Sequence, residues 1–172
     1  EREENEKRMK MLQERQKKEI AALRALRDAE NSLIEDSAEK QRATINASYD
    51  DQIEDLKRYL ETEGNLTPKA KAAVNETIDR LNKKRTADLA KVNEKEMRNQ
   101  LQQEADYIRQ KLELSTEGDY QEYDLKAKLL KKEKEIELSN TKLTAEQKQL
   151  IEERYQKKLD EMTSEHERKK QE

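Results

Sequence analysis

The stretch Glu61-Thr62-Glu63-Gly64-Asn65-Leu66-Thr67-Pro68 decides the fold, because it gathers the only proline and one of the two glycines into a single break. Gly64 suits the position just past a helix end. Thr67 carries the side-chain oxygen of an N-cap, and Pro68 fits the first helical position, where its missing N–H is not needed. A helix is therefore expected to stop near 62 and another to start at 68.

Two weaker breaks follow. Gly118 interrupts the pattern within 115–119, and Asp119 stands three residues before Glu122, the spacing of a capping box. Ser139-Asn140-Thr141 precedes a second box, Thr144 with Gln147. Four helices are expected, over 2–62, 68–114, 120–138 and 145–169. They group as a long antiparallel hairpin over 1–114 with its turn near 62–67, a break at 115–119, and a shorter hairpin over 120–172 turning near 139–144.

Composition agrees with long helices and excludes much else. Leu, Ile and Val supply 29 of 172 residues and Phe none, while 45% of the chain is charged. So few core formers cannot enclose a catalytic pocket, so we expect no enzyme, cofactor, metal or small-molecule substrate. The 37 basic and 40 acidic residues nearly cancel, whereas disorder by charge needs a large imbalance. Interspersed signs also give no field for nucleic acid or an anionic membrane. Ala, Glu, Leu, Lys and Arg make up 100 of the 172 residues, the mark of long helices and coiled coils. The fold class expected is all-α, as elongated antiparallel helical hairpins. No cysteine is present, so there is no disulfide or thiolate chemistry. The charged opening from Glu1 to Lys10 is unlike a secretion signal, and no apolar run nears the roughly 18 residues of a membrane span. The start at Glu1, without Met, suggests a segment of a longer protein.

Leu12, Leu23, Ile34, Ile45 and Leu56 recur every eleven residues, three turns at 3.67 per turn, a period that favours a straight or weakly right-handed supercoil. The second helix repeats this in part. Folding back about Gly64 pairs Leu60 with Val74, Leu56 with Ile78, Ile53 with Leu81 and Ile45 with Leu89. The same register then pairs Leu33 with Leu101, Ala29 with Ala105, Leu26 with Ile108 and Ile20 with Leu114. In the second hairpin Leu130 faces Ile151 and Leu138 faces Leu143. The two hairpins also resemble each other: Leu66-Thr67-Pro68 with Val74 and Ile78 parallels Leu143-Thr144-Ala145 with Ile151 and Tyr155 at a constant offset of 77. One turn device is thus used twice in a modular helical array.

Chemistry finds little purchase. His166, the only histidine, has no second His one turn away and reads as a solvated or seam-edge residue. Runs such as Glu133, Glu135 and Glu137 read as solvated faces. Of the six tyrosines, Tyr49, Tyr120 and Tyr155 fall on or beside the seams, with no basic groove to make them base-stacking platforms.

Several segments resemble helical stretches of phage and prophage tail tape-measure proteins. They are Ala25-Leu26-Arg27-Asp28-Ala29-Glu30, Ile34-Glu35-Asp36-Ser37, Ile53-Glu54-Asp55-Leu56 and Asn65-Leu66-Thr67-Pro68, then Glu137-Leu138-Ser139-Asn140-Thr141 and Leu143-Thr144-Ala145-Glu146-Gln147. The resemblance covers roughly residues 21–162 and rests on coiled-coil motifs. It implies a structural role: a long helical protein in the tail tube that helps set tail length and leaves ahead of the DNA. Its partners would be tail-tube or tail-assembly proteins, or other copies through their helices, and its location the cytoplasm during assembly and then the virion tail. No catalytic residue carries over. A ruler in a narrow tube is extended, whereas Gly64 to Pro68 is written as a turn; either the hairpin opens on assembly or this region lies outside the measuring part. The other reading of the same features is an intracellular coiled-coil interaction module, a scaffold or adaptor.

Overall fold

A computed structural model describes residues 1–116 and 120–171. The fold is all-α, with five helices among the described residues: α1 Arg2–Ser32, α2 Ser37–Thr62, α3 Pro68–Leu114, α4 Tyr120–Leu138 and α5 Ala145–Gln171. The caps expected at Gly118 and Asp119 lie outside the described residues.

The single helix expected over 2–62 is two helices, because the chain breaks at 33–36. Leu33 and Ile34 close α1 with backbone bonds to the carbonyls of Glu30 and Asn31 at 3.1 and 3.2 Å. Asp36, extended at φ −67° and ψ 122°, then starts α2 by accepting from the Glu39 N–H through its carboxylate. That contact is 2.8 Å long and satisfies one of the four free donors of the new helix.

The other starts use hydroxyls. Thr67 accepts from the Ala70 N–H at 3.1 Å, with Pro68 the first residue of α3. Thr144 and Gln147 form a reciprocal box: the Gln147 N–H reaches Thr144 Oγ1 at 3.1 Å, and the Thr144 N–H reaches Gln147 Oε1 at 2.9 Å. Gly64 follows the α2 C-cap, Glu63, yet does not adopt the left-handed conformation, and a Cβ there would meet nothing within 4 Å.

The chain forms two compact units, Glu1–Asn93 and Glu94–Glu172. Their boundary falls inside α3. Each unit contains three helical segments with the middle one packed on both sides: α2 between α1 and the first part of α3, and α4 between the rest of α3 and α5. The 77-residue offset seen in the turns therefore extends to this arrangement. In each unit the third segment opens on a threonine cap and buries the equivalent side chain, Ile78 in one and Tyr155 in the other.

Candidate functional site

With so little apolar surface, the surfaces that can act are the seams between helices, and the middle helix of each unit shows how they are built. At about 3.6 residues per turn, Ile45, Tyr49, Ile53, Leu56 and Leu60 share one face of α2, while Ala43, Ala47, Asp51 and Arg58 share another.

The first face meets α3. Tyr49, 8% exposed, donates its hydroxyl to Asp88 at 2.6 Å, and this bond, with burial, pushes the phenol above its ordinary value. Arg42 donates to Asn93 at 3.0 Å and Arg85 to Asp50 at 2.7 Å, so the pairing lies within one turn of the expected register. Along the same contact Ile53, Ile78 and Val92 are buried.

The second face meets α1 and is of another kind. Only Ile20, Arg24, Arg27 and Asn31 of α1 are withdrawn from solvent, a 4-3-4 stripe in which three of four residues are polar. Arg27 grips both oxygens of Asp51 at 2.7 and 2.9 Å, while Arg24 reaches Asp51 at 3.0 Å and Asp55 at 2.9 Å. Hydrogen bonds from Arg27 hold the Asp51 carboxyl below its usual value, and the same bonds raise the guanidinium. Ala43 and Ala47 let the backbones approach, and Asn31 donates to the Ala43 carbonyl at 3.5 Å.

In the second unit, Lys132 of α4 meets Glu104 of α3 at 2.6 Å and Glu133 meets Arg109 at 3.4 Å. Ala105 and Ile108 are buried beside these pairs. Toward α5, Tyr123 and Thr163 share a hydrogen bond of 2.8 Å, and the His166 ring stacks on Tyr123 at 4.1 Å. His166 is thus a seam-edge residue, with a buried Nε2 that has no hydrogen-bond partner among the described residues. Arg154 pairs with Glu137, whose carboxyl is held below its usual value first by Arg154 and also by Tyr155. Burial, then the hydrogen bond to Glu137, pushes the Tyr155 hydroxyl up to about 12. Ala127, Leu130, Tyr155 and Leu159 line an open groove edged by Lys128, Lys131 and Lys134. Leu130 therefore lies beside Tyr155 and Leu159, beyond the Ile151 partner expected for it. Side chains lean toward the N-terminus of their own helix, so in an antiparallel pair each meets a residue further along its partner than the turn alone suggests.

No family model, curated protein or solved structure matches the chain. Among the described residues no three His, Cys, Asp or Glu side chains are grouped to hold a metal ion, and no helix is long and apolar enough to cross a membrane.

The expected seam residues divide by depth. Ile53, Ile78 and Ile108 are buried. Ile20, Ile45, Leu56, Leu60, Val74, Leu81, Leu89, Leu101, Leu130 and Ile151 are partly covered. Leu26, Leu33 and Leu114 stand open at 57%, 79% and 89% exposure. The reason for the first two is the break at 33–36: α1 doubles back along α2 and presents Arg24 and Arg27 rather than its leucines. The residues missed were Ala47, Asp51 and the two arginines. Their signal was present, since Ala43, Ala47 and Asp51 follow each other at i+4, a stripe of two small residues and one charge.

Proposed function

We propose that this chain is a structural and assembly segment of a phage or prophage tail tape-measure protein, working through helix packing without catalysis. The observation that carries the reading is the polar contact of α1 on α2. Partly exposed guanidinium–carboxylate pairs are worth only about 0.2 to 1 kcal/mol each, so α1 can swing away from α2 while both remain helical. A segment with such joints can fold compactly before assembly and extend within a tail tube, which reconciles the turns with a ruler. The sequence resemblance supports the same role, and tail-tube or tail-assembly proteins would be its partners in the virion.

Deletion in units of the internal repeat tests this. Removing 68–144 joins Thr67 to Ala145 in phase, since both helices begin after a capping threonine. A phage carrying the deletion should assemble tails shorter by about 115 Å, from about 1.5 Å per helical residue. Tails of unchanged length would refute a measuring role. A second reading, a coiled-coil interaction module, is favoured by the uncovered leucines of α1, and under it this deletion leaves tail length alone.

A further inference from the structure

The uncovered face of α1 has a charge pattern that selects its partner. Residues 1–19 are exposed throughout, so more than half of the helix is open to solvent among the described residues. Leu12, Leu23 and Leu26 of α1 and Leu33 at its C-cap, at 62%, 59%, 57% and 79% exposure, share one side, away from the Arg24 and Arg27 stripe that meets α2. Monomeric chains do not ordinarily leave such a row of leucines in water along one helix face.

The charges around this row are divided along the helix. From Lys7 to Lys18 there are six basic residues and one acidic, Glu14, a net of +5. Asp28 and Glu30 follow at the end of α1, and Glu35 and Asp36 lie in the break before α2, with no basic residue among them. A parallel partner of the same sequence would set the basic block against itself. An antiparallel one sets it against the acidic block, twice over by symmetry, while Leu12 comes level with Leu33 of the other copy, Arg15 with Glu30, and Ala22 with Leu23.

We infer that α1 is a self-association surface, pairing antiparallel with α1 of a second copy about a two-fold axis near Ala22 and Leu23. The dimer is weak, because four leucines per copy share the face with Arg15, Glu19 and Glu30, and its strength falls with added salt. The pairing is independent of the tail reading and stands or falls by itself.

The chain has no cysteine, so single thiols report orientation without interference. Leu12→Cys and Leu33→Cys chains, mixed and treated with a short bis-maleimide, should give mixed dimers, while Leu12→Cys alone should give almost none. In the antiparallel pair two copies of residue 12 lie about 30 Å apart, from about 1.5 Å per residue. Sedimentation equilibrium of the full chain should show a monomer–dimer exchange, weakened roughly tenfold by Arg15→Glu and restored by Arg15→Glu with Glu30→Arg. Circular dichroism on each variant verifies that the helices persist, and all four positions are exposed. Efficient crosslinking of Leu12→Cys to itself would overturn the orientation. A chain that stays monomeric at millimolar concentration, or a double swap that fails to restore what Arg15→Glu removes, would overturn the surface.

Discussion

The two faces of α2 differ in what holds them. Toward α3 the helix presents Ile45, Tyr49, Ile53, Leu56 and Leu60, with polar contacts only at the borders. Toward α1 it presents Ala43, Ala47, Asp51 and Arg58, and the contact is held by two arginines on the carboxylates of Asp51 and Asp55. The apolar face excludes water and resists salt, whereas the ionic face is partly wet and is screened. One helix thus carries a fixed joint and a releasable one.

The difference is broken most severely from the apolar side. Ile53→Ala and Ile78→Ala should each cost about 2 to 3 kcal/mol, read from urea melts, since each removes buried methylenes and leaves a cavity. On the ionic side Asp51→Asn should cost about 1 kcal/mol in low salt and almost nothing in molar salt. Acid should act the same way. Arg27 depresses the folded-state value of Asp51, so its contribution is complete above the unfolded value of about 3.9 and is lost as pH falls through the lowered folded value. Near-neutral pH should leave this joint unchanged, and chemical shifts of α1 amides followed into acid would detect its release.

The second unit sharpens the comparison from the alkaline side. Tyr155 is raised from 10.0 to about 12, so its contribution is complete below the unfolded value and is lost as pH rises through the folded one. Phenolate absorbance should show a step near 12, and Tyr155→Phe should remove it. The smallest effect is expected at the turn: Gly64→Ala should change stability by no more than about 0.5 kcal/mol, because the backbone is not left-handed there and the added Cβ meets open space.

The sequence made the apolar face legible and hid the ionic one, for a physical reason. Leucine and isoleucine spacing reports a seam only where desolvation holds it together, as at Ile53 and Ile78. The α1 contact uses arginine, aspartate, asparagine and alanine, residues that in a chain so charged look like solvated surface. The break at 33–36 was hidden similarly: it contains neither glycine nor proline, and its one signal is Asp36 three residues before Glu39. The eleven-residue period ran straight through it from Leu23 to Ile34 and Ile45, so a continuous helix was the natural expectation. Local capping outweighed the period, since a helix start needs only a side-chain acceptor to satisfy its free donors. Leu26 and Leu33 lost their expected place as a result, while the residues nearer Gly64 lie along the contact between α2 and α3.

On opposite sides of α2, α1 is held by charge and α3 by apolar packing. Spin labels on cysteines at the exposed positions Glu19, Lys57 and Asn75, placed two at a time, measure both joints against one reference helix. In low salt both the 19–57 and the 57–75 distances should be short and narrowly distributed. In molar salt the first should lengthen and broaden while the second stays fixed. If both hold, or both open together, the two faces of α2 are not different joints.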